Sequence, residues 1–166
     1  MSIIKHPEQR VGVFIDIENL YYSGKNLFKA RVDFKQILKD AVGGRKLIRA
    51  IAYVIRTESG EEKVFFDALT RLGIETKVKD IQIYNNFKKA DWDVGITVDA
   101  IQISSSLDVV LLLSGDGDFV PLVEHLKSRG KQVEVVAFLK STSSRLKEAA
   151  DDFFDIGQSK KYLLKK

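Results

Sequence analysis

Aspartates are the residues of this sequence whose side chains and positions best fit a catalytic or metal-binding role. Asp16 directly follows the apolar residues 11–15, and Asp116 and Asp118 follow a second apolar run, Val109–Leu113. Uninterrupted apolar runs are typical of strands that are buried on both faces of a parallel sheet. Ligands and reactive groups collect at the carboxyl edge of such a sheet. We therefore expect these carboxylates to lie at one edge.

A further carboxylate, Asp93, lies near the start of the helix predicted over residues 90–106. This helix precedes the strand predicted over residues 108–113, so its first turn is expected at the same sheet edge. Asp99 lies further along the helix and would be ~9 Å deeper, which makes it the weaker candidate.

Carboxylates gathered in this way repel one another, so the arrangement needs a bound cation or protonated acids. Oxygen ligands without His or Cys suit Mg²⁺ or Mn²⁺. Such ions can activate water and stabilise the leaving oxygen in phosphodiester cleavage. A single aspartate after a strand is often only a turn or helix-cap residue, and Asp118 in particular has that alternative role. Three acids at one edge favour a metal site.

The elements that must position these acids alternate along the chain. Apolar and amphipathic patterns predict strands over residues 11–15, 47–55, 74–78, 108–113, 132–138 and 153–156, and helices over residues 34–42, 61–72, 90–106, 119–130 and 141–150. The helix over residues 90–106 has two apolar sides and is expected to be buried on both. Residues 23–26 are expected to interrupt the pattern of the residues that follow the first strand, and residues 79–89 are expected to form a long loop beside the site. The alternation predicts a three-layer, Rossmann-like α/β fold with a mainly parallel central sheet flanked by helices.

Length and composition predict one domain. The chain has 166 residues, no cysteine and a formal net charge of +4. Disulfides and thiolate metal sites are therefore excluded, and the mild basic bias permits a nucleic-acid partner without requiring one. With neither a secretion signal nor the ~20 apolar residues of a membrane span, we expect a cytoplasmic protein that does not contact membranes. We further expect a flexible arm over residues 1–10, the domain over residues 11–157 and a basic tail over residues 158–166. Apolar residues of the last strand and tail are compatible with a homodimer.

Basic and aromatic residues lie beside the predicted site. Lys88 and Lys89 are close in sequence to Asp93 and could bind phosphate, while Tyr21 and Tyr22 could stack unpaired RNA bases. A solvated charged face explains the lysines equally well.

Three ordered segments carry a family resemblance. They are residues 14–20 (FIDIENL), residues 89–94 (KADWDV) continuing to Asp99-Ala100, and residues 114–119 (SGDGDF) followed by Pro121-Leu122-Val123. Together they resemble the motifs of NYN domains, which belong to the PIN-like ribonuclease superfamily, and the likeness is closest to the LabA-like branch.

The resemblance implies a PIN-like sheet and a metal-dependent endoribonuclease acting on single-stranded or structured RNA. By this resemblance Asp16, Asp93 and Asp116 are metal-binding and catalytic acids, with Asp118 as a fourth. Substrate contacts are expected from Asn19, Lys88, Lys89 and Ser114. Many relatives have a glycine-containing turn where this chain has Ile17-Glu18, so Glu18 adds a carboxylate of open role.

Two other functions stay open at this point. Haloacid-dehalogenase-like phosphatases also begin with a strand ending in Asp, but they need a second Asp two residues later, where this chain has Glu18. Such an enzyme would form an acid-stable phosphoaspartate on Asp16. The other alternative is a folded RNA-binding or regulatory module with little turnover. The sequence also leaves open whether Asp99 or Asp151 joins the site.

Overall fold

The computed structural model describes residues 3–57, 62–84, 87–89 and 91–164, with the backbone alone described for residues 82–84 and 87–89. The described strands are β1 (Arg10–Asp16), β2 (Arg31–Val32), β3 (Lys46–Arg56), β4 (Glu75–Asp80), β5 (Gln82–Tyr84), β6 (Phe87–Lys89), β7 (Val109–Leu113), β8 (Gln132–Ala137), β9 (Asp152–Asp155) and β10 (Leu163–Leu164). The described α-helices are α1 (Ile17–Phe28), α2 (Phe34–Val42), α3 (Lys63–Arg71), α4 (Asp93–Ile103), α5 (Val120–Ser128) and α6 (Ser144–Ala149).

Six strands form one parallel sheet in the order β4-β3-β1-β7-β8-β9. The predicted α/β fold with a mainly parallel sheet is confirmed. In the register of the two central strands, Ile15 of β1 lies opposite Leu113 of β7. The residues that follow, Asp16 and Ser114, therefore lie side by side at the carboxyl edge of the sheet.

Helices cover both faces of the sheet and enclose two apolar cores. On one face, α1, α2 and α3 pack over alternate strand residues such as Val13 and Ile15. On the other, α4, α5 and α6 pack over residues such as Phe14 and Leu112. The strands β1 and β7 are buried on both faces, which explains their unbroken apolar sequences. No helix among the described residues combines the length and apolar character needed to cross a bilayer.

The first and last described segments of the chain pack against this body. The Lys5 ammonium lies 3.2 Å from the Asp152 carboxylate, and Arg10 pairs with Asp108 at 3.0 Å. Near the other end, β10 pairs in antiparallel fashion with β2.

The expected break at residues 23–26 is wrong, because α1 runs continuously from Ile17 to Phe28. Ser23 and Gly24 are buried on its inner side. A Cβ added to Gly24 would lie 3.1 Å from the Ala30 carbonyl oxygen and 3.2 Å from Val32 Cγ2. Close packing, rather than a turn, therefore favours glycine at this position.

Two other expectations need correction. Residues 79–89 do not form a single long loop, because β4 extends to Asp80 and β5 pairs with β6 as an antiparallel hairpin. The described residues cover the helix α4 on one side only: Ile96 and Ala100 are buried, whereas Val94, Val98 and Ile101 are exposed. A helix outside a sheet meets it along one stripe, so the second apolar side of α4 faces outwards.

Candidate metal centre

Asp16 is held at the end of β1 by two hydrogen bonds. Ser114 Oγ donates to Asp16 Oδ2 at 3.0 Å, and the Asn19 backbone N–H donates to Asp16 Oδ1 at 3.4 Å. The second bond makes Asp16 the N-cap of α1. Its side chain is almost wholly buried, with 7% of the residue exposed. The carboxylate is therefore oriented by its neighbours before any ligand arrives.

Asp116 follows β7 in a tight turn that Asn19 and Ser114 stabilise. The Gly115 N–H donates to Asn19 Oδ1 at 2.9 Å, and the Asp116 N–H donates to Ser114 Oγ at 3.2 Å. A Cβ on Gly115 would lie 2.7 Å from Thr142 Oγ1 and 3.0 Å from Thr142 Cα. Glycine thus allows the turn to pack directly on the segment before α6.

Asp93 is the first residue of α4, and the aromatic side chain before it fixes the start of the helix. Trp92 Nε1 donates to the Val54 carbonyl oxygen at 2.9 Å, and the Trp92 ring lies 5.3 Å from that of Tyr53. A Cβ on Gly95 would lie 2.5 Å from the Trp92 ring, so this glycine makes room for the indole. The anchored indole directs Asp93 towards the sheet edge.

The three side chains converge. Asp16, Asp93 and Asp116 each offer a carboxylate oxygen, and these oxygens lie within 4.8 Å of one another. Two ligands on opposite sides of a Mg²⁺, Mn²⁺ or Ca²⁺ ion are about 4–5 Å apart, given bond lengths of about 2.0–2.6 Å. The group can therefore hold a divalent cation.

Comparisons with known proteins agree with this geometry. The NYN domain family matches residues 10–157. The chain belongs to the NYN domain family. It is 23% identical to the "Low amplitude and bright protein LabA" of Synechococcus elongatus over 94% of this chain and 88% of that protein, which supports the LabA-like branch. It is 26% identical to the uncharacterized protein MJ0482 of Methanocaldococcus jannaschii over 91% of this chain, and the match spans 57% of that longer protein.

A solved structure shares the whole architecture of this NYN domain. The crystal structure of VPA0982, a protein of unknown function from Vibrio parahaemolyticus, superimposes with a TM-score of 0.87. The two proteins are 34% identical, and the match covers 98% of this chain and 100% of that one.

Burial and mutual repulsion control the protonation of the NYN acids. Burial raises the pKa of Asp16 to about 6, against hydrogen bonds from Ser114 and Asn19 that lower it, and the charge of Asp116 adds to the rise. Burial also raises the pKa of Asp93 to about 7, and repulsion from Asp116 and Asp16 contributes. Both shifts show that negative charge is disfavoured here without a compensating cation.

The other residues predicted for this NYN site lie in different surroundings. Asp118 is exposed, is not one of the three clustered acids, and donates its backbone N–H to Asp116 Oδ1 at 2.9 Å. The Asn19 side chain accepts a hydrogen bond from the turn at Gly115, and the Ser114 hydroxyl donates one to Asp16. Both side chains therefore have partners within the protein. Lys88 and Lys89 belong to β6, and their side chains lie outside the described residues.

Asp99 and Asp151, whose roles were open, are engaged elsewhere. Asp99 Oδ2 accepts from Tyr53 Oη and from Lys77 Nζ, each at 2.7 Å. Asp151 Oδ2 accepts from the Val133 N–H at 2.9 Å. Neither carboxylate belongs to the clustered group.

Sequence reasoning missed Asp91 and Asn26, which line a cavity beside the acids. Asp91 Oδ1 accepts from the Asp93 N–H at 3.1 Å and so supports the first turn of α4. An aspartate whose side chain accepts from the backbone N–H two residues later forms an Asx turn, which can be recognised in a sequence just before a helix. Asn26 becomes recognisable once α1 is seen to continue past Gly24.

Proposed function

We propose that this NYN domain is a Mg²⁺- or Mn²⁺-dependent endoribonuclease that hydrolyses RNA phosphodiester bonds. One observation carries the proposal: Asp16, Asp93 and Asp116 come from three separate parts of the chain, yet their oxygens lie within 4.8 Å of one another. Such convergence of like charges is costly in a protein unless it serves a cation.

The donor set fits that kind of metal. The three ligands are carboxylate oxygens, and the chain has no cysteine. Hard divalent ions with oxygen ligands match this chemistry, whereas sites for softer metals use thiolate or imidazole. When bound, the ion would supply Lewis acidity towards a phosphate and lower the pKa of water.

The chain's own residues supply orientation and charge. Asp16, Asp93 and Asp116 would hold the ion, while Ser114 and Asn19 position Asp16 and the Asp116 turn. Asp118, exposed on the solvent side of that turn, is proposed as the fourth acid. Lys88 and Lys89, on the hairpin strand just before α4, are proposed to bind RNA phosphates.

The test compares cleavage of a labelled RNA by the wild-type protein, Asp116→Asn and Asp67→Asn. Asp67 is an exposed aspartate on α3 and serves as the control for losing one carboxylate. We expect cleavage in Mn²⁺ that falls on the order of 100-fold or more in Asp116→Asn and stays unchanged in Asp67→Asn. A DNA strand of the same sequence measures the preference for RNA.

Four outcomes would overturn the proposal. Cleavage that survives Asp116→Asn would indicate a contaminating nuclease. If calorimetry detects no Mn²⁺ binding to the wild type, the proposed metal dependence is wrong. RNA binding without cleavage would instead assign a non-catalytic module, and an acid-stable phosphoaspartate on Asp16 would assign a phosphatase.

A further inference from the structure

A cavity of about 370 Å³ opens beside the clustered acids. The acids form one side of it. The other side is a face of α1 that presents Glu18, Tyr22 and Asn26. These residues are four apart, so they follow one another along one side of the helix in steps of ~6 Å. The face therefore leads from the acids towards Asn26, about 12 Å beyond Glu18.

The far part of this face can bind an uncharged planar group. The Tyr22 residue is 53% exposed, so a ring face is accessible for stacking. No hydrogen bond from the described part of the chain engages the exposed Asn26 amide. An amide offers a donor and an acceptor side by side, which matches the edge of a nucleobase.

The distribution of charge in the cavity determines how a bound nucleotide would place its phosphate and its base. The acid side of the cavity carries Asp16, Asp91, Asp93 and Asp116, and Glu18 adds a carboxyl group at the near end of the α1 face. A phosphate can therefore approach this side only together with a cation. At the other end, Tyr22, Ser23, Asn26 and Ser141 are uncharged. A nucleotide with its phosphate at the acids would therefore extend its neutral base along α1.

We propose that the Tyr22–Asn26 face of α1 is a subsite for an unpaired RNA base adjoining the scissile phosphate. Tyr22 stacks on the base, and the Asn26 amide hydrogen-bonds its edge. The position relative to a scissile phosphate rests on the proposed nuclease function. A cavity of about 370 Å³ is within the usual size of a small-ligand site. Recognition of this kind requires an unstacked base, so it selects single-stranded RNA over duplex.

The chain provides a matched control in Tyr21. Tyr21 and Tyr22 are adjacent, their ring centroids are 5.4 Å apart, and they are 46% and 53% exposed. Only Tyr22 of this pair lines the cavity. Tyr21→Ala and Tyr22→Ala therefore remove the same aromatic group from the same surface, with opposite predictions for base binding.

The experiment uses a short single-stranded RNA with one 2-aminopurine and a fluorescein label, in Ca²⁺, with RNA integrity checked on gels. We expect Tyr22→Ala to weaken binding roughly tenfold and to abolish the tyrosine-dependent quenching of 2-aminopurine. Tyr21→Ala should stay within about twofold of the wild type, and Tyr22→Phe should retain quenching. Asn26→Ala should weaken binding about threefold or more while quenching persists. Thermal melts check that each variant is folded.

The inference fails if Tyr22→Ala binds as the wild type does, if both tyrosine variants lose affinity equally, or if the wild type binds no RNA. It stands as an RNA-binding subsite if quenching depends on Tyr22 but no variant or wild type cleaves RNA. In that case the nuclease proposal alone falls. If cleavage requires Asp116 but does not change in Tyr22→Ala, the nuclease proposal stands and the proposed base subsite is wrong.

Discussion

Asp93→Asn is expected to stabilise the protein when no divalent cation is present. Burial raises the pKa of Asp93 from an ordinary value of 3.8 to about 7, which corresponds to about 4 kcal/mol between the two protonation states. Solvent screening at this half-buried position reduces that figure. Asparagine also has to be desolvated and loses the interaction of the charge with the start of α4, worth about 0.3–1 kcal/mol. We expect a net rise of about 1–3 kcal/mol in the free energy of unfolding at pH 8.

The pH dependence follows from the direction of the shifts. The pKa values of Asp16 and Asp93 are about 6 and about 7 in the folded protein, above those of the unfolded chain. The folded state therefore binds more protons between about pH 4 and pH 7, and the cation-free protein gains stability as the pH falls from 8 towards 5. For Asp16, the change from 3.8 to about 6 corresponds to about 3 kcal/mol. Asp93→Asn should flatten this dependence.

Urea unfolding in EDTA, followed by circular dichroism at pH 5 and pH 8, measures both effects. Asp99→Asn is the matched control, because Asp99 lies on the same helix with the opposite electrostatics. Burial alone would raise the pKa of Asp99, but hydrogen bonds from Lys77 and Tyr53 outweigh burial and lower it. Asp99→Asn should therefore destabilise at pH 8. A loss of stability in Asp93→Asn, or the same sign for both variants, would refute the reasoning.

Three other predictions concern the bound cation, the turn at Gly115 and the buried ion pair between Arg45 and Glu134. Adding 10 mM Mn²⁺ should raise the melting temperature of the wild type more than that of Asp93→Asn, since ligand binding stabilises only the form that binds it; equal shifts would contradict a role for Asp93. Gly115→Ala should lower Mn²⁺ affinity about tenfold or more in calorimetry, because its Cβ would lie 3.0 Å from Thr142 Cα; unchanged affinity would show that the turn adapts. Arg45→Met should cost about 3 kcal/mol in urea unfolding, because the buried Glu134 carboxylate, 2.8 Å from Arg45 Nη1, would keep among the described residues only Gln132 Nε2 at 2.9 Å and the more distant Lys5 ammonium at 3.8 Å. Arg45→Met combined with Glu134→Leu should recover most of that loss, and no recovery would mean that the pair acts through packing.

The central strands and their acids could be predicted because β1 and β7 are buried on both faces. Burial on both faces leaves an unbroken apolar sequence, and each run ends where the chain leaves the sheet. The neighbouring register of β1 and β7 then brings Asp16 and the Ser114–Asp116 turn together. The sequence could also rank Asp93 above Asp99, since depth along a helix follows directly from residue number.

Features that depend on packing between distant segments could not be predicted. Gly24 resembles a helix breaker in sequence, and only its contacts with Ala30 and Val32 show that it belongs inside α1. For the same reason Asn26 was not associated with Tyr22, because their helical spacing exists only if α1 continues past Gly24. The exposed stripe of α4 has the same origin: an apolar pattern records a preference for burial, but it does not specify a covering partner.

The two hydrogen-bonding residues of the site explain why its acids can stay close together in a folded chain. Asn19 and Ser114 tie α1, β1 and the β7 turn into one unit, so Asp16 and Asp116 cannot relax apart without breaking bonds to buried or half-buried groups. Asp93, in contrast, reaches the cluster from α4 and is attached to this unit through Trp92 and the sheet. Relief of repulsion is therefore easiest by movement of Asp93 or by its protonation, since burial and repulsion from Asp116 and Asp16 raise its pKa. It follows that a bound cation must offset the charge of Asp93, and that cation affinity should rise with pH as Asp93 loses its proton.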